Sequence, residues 1–406
     1  MTDAPAVQQK APIDLALSSG GPIFSLLRVL RIRPYPPPAM RAAAALAAVT
    51  WLPLLIFSVA KHLAVTDRVT ISFVKDISVY ARFLVAIPLL IVAGQFIDGR
   101  LSAAISRLVE SGIIPANRQS EFDREYKRLR RGCELWLPDI VMLAIVATYA
   151  WLDVTRGVRG ATTNWATGLE STGLTPAGWW YSVVSLPVFG LLSLRWVWRM
   201  FLWTRFLRRV TGLGLELIPT HPDRVGGLGA LTEATIGFDV VVAAYSVTLG
   251  STVAMRMLYS GESLSNSKLV IAAFVVVAVL LFLGPLLVFT PVLTRARFLG
   301  LLTYGDLAED YVRAFDRKWL KQALRAEPDG DRVQKSGEAL LGSSDVQSLA
   351  DIGGSYERVA EMKTTLITPR LMVLLVLSAL LPMLPPLSAV IPVVQILEKL
   401  LSMMAK

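Results

Sequence analysis

The sequence predicts an all-α, polytopic transmembrane bundle of about seven spans, with a cytoplasmic N-terminus and a helical cytoplasmic insertion before the last span. Three observations carry that prediction. Of 406 residues, 54% are hydrophobic and only 18% charged, with a mean hydropathy of +0.54, where a soluble protein carries about 25% charge. The apolar residues gather into runs near the roughly 20 residues needed to cross a bilayer. Threading those runs alternately puts 31 of the 41 Lys and Arg on one side and 6 on the other, the asymmetry of the positive-inside rule.

The net charge of +10 raises nucleic acid as a partner. The basic residues, however, lie beside the apolar runs, where Lys and Arg set topology and meet anionic lipid at the cytoplasmic face. The expected partner is therefore the bilayer, together with further copies of this chain in a homo-oligomer, and no nucleic acid. One cysteine, Cys133, supports neither a disulfide framework nor a Cys-rich metal pattern. No cofactor and no metal are expected. The first 27 residues hold Asp3 and Asp14 without an apolar core, so no signal peptide is read there. With the positive-inside pattern, this points to multi-pass residence in a bacterial inner membrane.

Residues 1–41 form a cytoplasmic segment in which Leu26, Leu27, Val29, Leu30 and Ile32 alternate with Arg28, Arg31 and Arg33. That pattern suits a short interfacial helix stopped by Pro34. Residues 42–210 form the first transmembrane block, with spans near 43–60, 79–97, 135–152 and 179–202. Between the second and third, the stretch 120–132 (SEFDREYKRLRRG) reads as a basic helix on the headgroups, capped by Ser120 and laced by Asp123–Lys127 and Glu125–Arg128 pairs. The fourth span leaves through RWVWRMFLWTRFLRR (195–209), where alternating Trp and Arg predict an interface with arginines snorkelling outward.

Residues 211–237 are a polar linker, and 238–293 carry spans five and six. An insertion at 294–368 holds an amphipathic helix near 306–325, a turn at 328–331 and a second helix near 343–363 interrupted by Gly353-Gly354. Ser343 or Ser344 is the expected cap of that second helix. Residues 369–406 contain the last apolar run, 371–397, which is free of charge but holds Pro382, Pro385, Pro386 and Pro392. It reads as a seventh span with an outer interfacial helix, or as a broken hairpin that returns.

Each candidate site has a plain reading beside it. Asp139 and Asp239 invite a proton or cation role, but both stand at the starts of their spans, where a carboxylate meets the positive helix end. Arg82 and Arg256 fit helix ends and snorkelling. On span five, Tyr245, Thr248, Ser251 and Thr252 form a hydroxylated face suited to lining a pore or cavity, and equally to close helix packing. The central loop offers His221, Asp223 and Arg224, followed by Gly226, Gly227 and Gly229. A catalytic version uses His221 as base and Asp223 as its orienter. No GK[ST], second histidine or cysteine pair accompanies them, so a structural turn with Asp223 paired to a neighbouring Arg is the favoured reading. Cys133 reads as a simple buried or interfacial thiol.

The stretches HPDRVGGLG (221–229) and SSDVQSLADIGGSY (343–356) together resemble those of bacterial multi-pass integral membrane proteins without an assigned function. The resemblance implies the layout and transfers no catalytic residue. Three functions stay open: a channel or transporter subunit moving a small solute or ion, a membrane scaffold or sensor binding a partner through its cytoplasmic loop and insertion, and a membrane enzyme using His221. The first is preferred, because broken helices are tolerated where they face protein or water.

Overall fold

The computed structural model describes residues 38–159, 163–168, 173–320 and 343–388. The expected interfacial helix at 26–32, the turn at 328–331 and the residues after 388, on which the hairpin alternative depends, lie outside them. Among the described residues the chain is all helix, and the sole β-bridge joins Ile71 to Asn164. Among the described residues, eight helices are long and apolar enough to cross a membrane: Ala39–Ala60, Ile77–Glu110, Ala116–Leu152, Pro176–Thr211, Gly229–Ser260, Leu264–Phe282, Gly284–Leu320 and Pro369–Ser388. This is a multi-pass membrane protein.

Ten helices organise it. They are α1 (Pro38–Ala60), α2 (Ile87–Glu110), α3 (Gln119–Glu134), α4 (Leu137–Arg159), α5 (Leu186–Thr211), α6 (Asp239–Ser260), α7 (Lys268–Phe282), α8 (Thr290–Phe315), α9 (Ser344–Ala360) and α10 (Pro369–Leu380). The α6 helix packs against α2, α10 and the π-helical turn Ala81–Ala86 that leads into α2. Its small residues permit the approach. Ser246 donates to the Ala379 carbonyl of α10 at 2.7 Å. At Gly250 an added Cβ would lie 2.7 Å from the Met383 Cα. Small residues at these two positions serve close helix packing.

Proline defects inside the bundle are repaired by neighbours. Pro53 lacks an N–H, so the Val49 carbonyl one turn back in α1 loses its helical donor. The Trp180 indole N–H supplies one at 3.1 Å, and the Ser185 hydroxyl donates to the adjacent Thr50 carbonyl at 2.7 Å. In a low-dielectric bundle such substitution is what lets a proline sit in mid-span.

Several sequence expectations need correction. The sixth apolar run is not one helix. The N–H missing from Pro285 ends α7 at Phe282, a 3₁₀ turn follows over Gly284–Phe289, and α8 starts at Thr290, well before residue 306. Arg118, not Ser120, holds the N-cap position of α3. Glu125–Arg128 pairs as expected, and Arg118–Glu121 joins it. The α3 helix also packs on α5 rather than only on headgroups, with Phe122 buried against Phe206 at a 5.9 Å ring separation. Gly353 and Gly354 do not interrupt α9, because its packing along α8 outweighs the roughly 1 kcal/mol helix penalty of each glycine. Ser343 occupies the N-cap of α9, yet its hydroxyl makes no cap bond.

The α8–α9 pair stands at the same end of the bundle as the central loop. A Cβ added at Gly300 of α8 would meet both Pro219 of the loop and Val359 of α9 within 3 Å. The Arg297 guanidinium donates to the Ala360 carbonyl at 2.8 Å.

Candidate functional site

At that end, residues 216–229 fold into a tight polar knot around one carboxylate. Oδ1 of Asp223 accepts the Val225 amide at 2.9 Å and the Gly227 amide at 3.1 Å, while Oδ2 accepts the Gly229 amide at 2.8 Å. An aspartate two residues before its first amide donor makes an Asx turn. Extending it to three donors requires backbone that doubles back, which explains positive φ at Gly226 (67°), Gly227 (96°) and, more unusually, Arg224 (58°). Burial by itself pushes the Asp223 carboxyl up. The three amides and the His221 ring together outweigh it and hold the group below its ordinary value.

Asp223 therefore pairs with amides and histidine, not with an arginine as expected. The arginine next to it, Arg224, reaches Glu361 at 3.2 Å. Nδ1 of His221 lies 2.8 Å from Asp223 Oδ1. The same nitrogen lies 3.3 Å from the Asp223 amide, so it either donates to the carboxylate or accepts from that amide, not both. The histidine–aspartate geometry of the catalytic reading is thus present, in a half-exposed position.

The knot also fastens separate parts of the chain. The Glu216 amide donates to Ile113 in the α2–α3 connection at 2.9 Å, and the Lys363 amide donates to the Arg224 carbonyl at 2.7 Å. A Cβ at Gly227 would lie 2.7 Å from the Ile113 Cδ1. Between the knot and the end of α2 opens a cleft of about 970 Å³, with Arg100, Arg107, Ser111, His221 and Lys363 in its lining.

Deeper in the bundle, charged side chains turn inward from three helices. Arg195 of α5 forms an ion pair with Asp139 of α4, their side chains 6% and 7% exposed, and also donates to the Cys133 carbonyl. One turn on, Arg199 is buried with its guanidinium 4.8 Å from the Trp196 ring centre. Its electrostatic neighbours are Asp98 of α2, Arg195, Cys133 and Tyr245 of α6. Asp98 is 2% exposed. Arg195 and Arg199 do not snorkel, because they share the stripe of Leu192, Trp196, Trp203 and Phe206 that α5 buries; Arg205, Arg208 and Arg209, off that stripe, are exposed. Asp139 does stand in the first turn of its helix, but Arg195, not the helix end alone, is its partner.

At the opposite end, Arg82 sits in the π-helical turn Ala81–Ala86 and donates to the Tyr181 hydroxyl, itself in the π-helical turn Tyr181–Ser185. Its guanidinium lies 5.7 Å from the Phe189 ring centre, so it too points inward rather than to the interface. Trp165 stacks edge to face with Phe73 at 5.3 Å and with Tyr181 at 5.7 Å. The Trp165 indole is fixed by Asp76 at 2.9 Å. Arg256, by contrast, is exposed near the end of α6.

Of the hydroxylated face on span five, Tyr245 joins the inner charged group and donates to the Ser193 carbonyl at 3.3 Å. Thr248 and Thr252 donate back to Ala244 and Thr248, and Ser251 to Thr248. Cys133 is buried. Sequence reasoning missed Asp98, Arg195 and Arg199, though the three- and four-residue spacing of 192, 195, 196, 199 and 203 was the signal. Compared with known protein families, with curated proteins and with solved structures, the chain matches none.

Proposed function

We propose that the protein is a channel or transporter subunit that moves a small solute or ion between α2, α5 and α6. The observation that carries this reading is the set of ionisable groups turned into the bundle: Asp98, Arg195 and Arg199 at one level and Arg82 at another. Asp98 and Arg82 lie on the continuous helix Ile77–Glu110, 16 residues or about 24 Å apart along its axis. Charge inside a membrane bundle is costly, and where it persists it marks substrate and ion pathways. Two π-helical turns meeting at Arg82 and Tyr181 add helix irregularity of the kind that recurs at functional sites.

In this reading the path passes Tyr245 and continues along Thr248, Ser251 and Thr252. The N-terminus is cytoplasmic in the inner membrane, the knot end faces the cytoplasm, and α8–α9 is the cytoplasmic insertion. In this reading α8 lies along the membrane surface with α9, which leaves seven crossings among the eight membrane-length helices.

The test is flux from proteoliposomes, read with dyes for H⁺, K⁺ and Cl⁻ and by osmotic swelling for neutral solutes. Wild-type protein should exceed empty liposomes, and Asp98→Asn and Arg199→Gln should abolish the difference while retaining the wild-type elution profile. Silence from folded wild-type protein overturns the reading. It would favour a scaffold that binds a partner through α8, whose Phe298, Leu299 and Leu302 are exposed.

A further inference from the structure

The cleft beside the knot has a construction that the transport reading does not use. Arg100 and Arg107 line it from one face of α2, with Ala103 and Ala104 between them in sequence and also in the lining. Residues seven apart share a helix face and rise about 10 Å. Two long cationic arms thus flank a floor of small side chains. Lys363, from the segment after α9, brings a third cation to the lining, its backbone held by the main-chain bond from its amide to Arg224.

The acidic groups in the same lining are Glu110, Asp223 and Glu233. The Asp223 charge is spent on three amides and His221. Glu233 faces Arg370 at 3.9 Å. Arg107 and Lys363 form no ion pair among the described residues, and Arg100 gives one N–H to the Glu233 carbonyl at 3.3 Å while lying over the Phe96 ring. The lining thus carries three cations and three carboxylates, but two of the carboxylates are already engaged while Arg107 and Lys363 are not, so cationic donors are left over in a concave site. Its volume falls in the range of about 300–1,000 Å³ typical of small-molecule pockets.

We infer that this cleft binds a phosphate group, gripped by the Arg100 and Arg107 guanidiniums and the Lys363 ammonium, with the Ser111 hydroxyl as a further donor. Guanidinium forks match phosphate oxygens bidentately, and an ammonium adds a point charge. Basic pockets between helices at a membrane surface take phospholipid headgroups, and free phosphate presents the same oxygens. The inference stands whether or not the bundle conducts.

The test uses full-length protein in a phosphate-free sugar detergent, titrated separately with inorganic phosphate and with short-chain phosphatidylglycerol, and read by native mass spectrometry. Saturable binding of one molecule per chain is expected. Binding in both arms identifies the phosphate itself as the determinant, and binding of the lipid alone identifies a headgroup site. Arg107→Gln with Lys363→Gln should weaken either by about tenfold or more, whereas the exposed pair Arg208→Gln with Arg209→Gln should bind as wild type. Arg107→Lys should retain part of the affinity, which separates lost charge from a damaged fold. Absence of binding in both arms, or equal binding by the cleft double variant, overturns the inference.

Discussion

The knot around Asp223 and the charged group around Arg195 are two answers to one problem, a charge taken out of water. In the knot, one carboxylate is answered by main-chain amides from residues two, four and six positions ahead. In the bundle, an arginine is answered by an aspartate 56 residues away on another helix. The first solution is local and survives substitution of most of its neighbours. The second depends on two helices arriving at the same place.

The comparison breaks most visibly at Arg195. Arg195→Leu strands Asp139 in the bundle and should destabilise the protein by about 3–5 kcal/mol, as unpaired buried charges do. Thermal unfolding in detergent measures it, and adding Asp139→Leu should restore most of the loss. If the single variant unfolds like wild type, the pair is ornamental. Asp223→Ala comes next: it leaves three amides without their acceptor, at roughly 2–3 kcal/mol, and should loosen proteolytic protection in 216–229 before the bundle melts.

Gly227→Ala adds a Cβ at φ 96° against Ile113, a strain of about 1–3 kcal/mol read by the same melt. His221→Ala should be the mildest, under about 1 kcal/mol, because the three amides continue to hold Asp223; flux should be unchanged. Loss of flux with normal expression would reinstate His221 as a chemical group. The pH response sharpens the contrast last. The Asp223 carboxyl is lowered from 3.8, so its stabilisation is complete above that value and fades only as pH falls through the lower folded one. Exchange protection of the Val225, Gly227 and Gly229 amides, corrected for intrinsic rates, should persist at pH 5 and drop below about pH 3.8. A drop near pH 6 would mean that the carboxylate is not the anchor.

The same contrast explains what could be read in advance. The helical, membrane-length character of the chain and the presence of a turn at 221–229 were legible, because hydropathy is a sum over neighbours and an Asx turn is written in consecutive residues. The Asp223 partner was not: amides carry no letter in the sequence, and Arg224 looked the nearer choice. The inward aim of Arg195, Arg199 and Arg82 depends on which face of each helix is covered, and only tertiary packing decides that. The break at Pro285 could have been weighed, but an apolar run on both sides of it reads as one span. Continuity of α9 through Gly353-Gly354 rests on α8, which local propensity does not see.

One bond at the knot has a consequence for how this protein can diverge. The Lys363 amide donates to the Arg224 carbonyl, main chain to main chain, so the latch between the central loop and the approach to α10 is indifferent to the side chain at 363. Proline alone, lacking the hydrogen, would open it. The cation at the rim can therefore be exchanged, lost or inverted in sign across a lineage while the architecture stays fastened, leaving ligand preference to drift on a fixed frame.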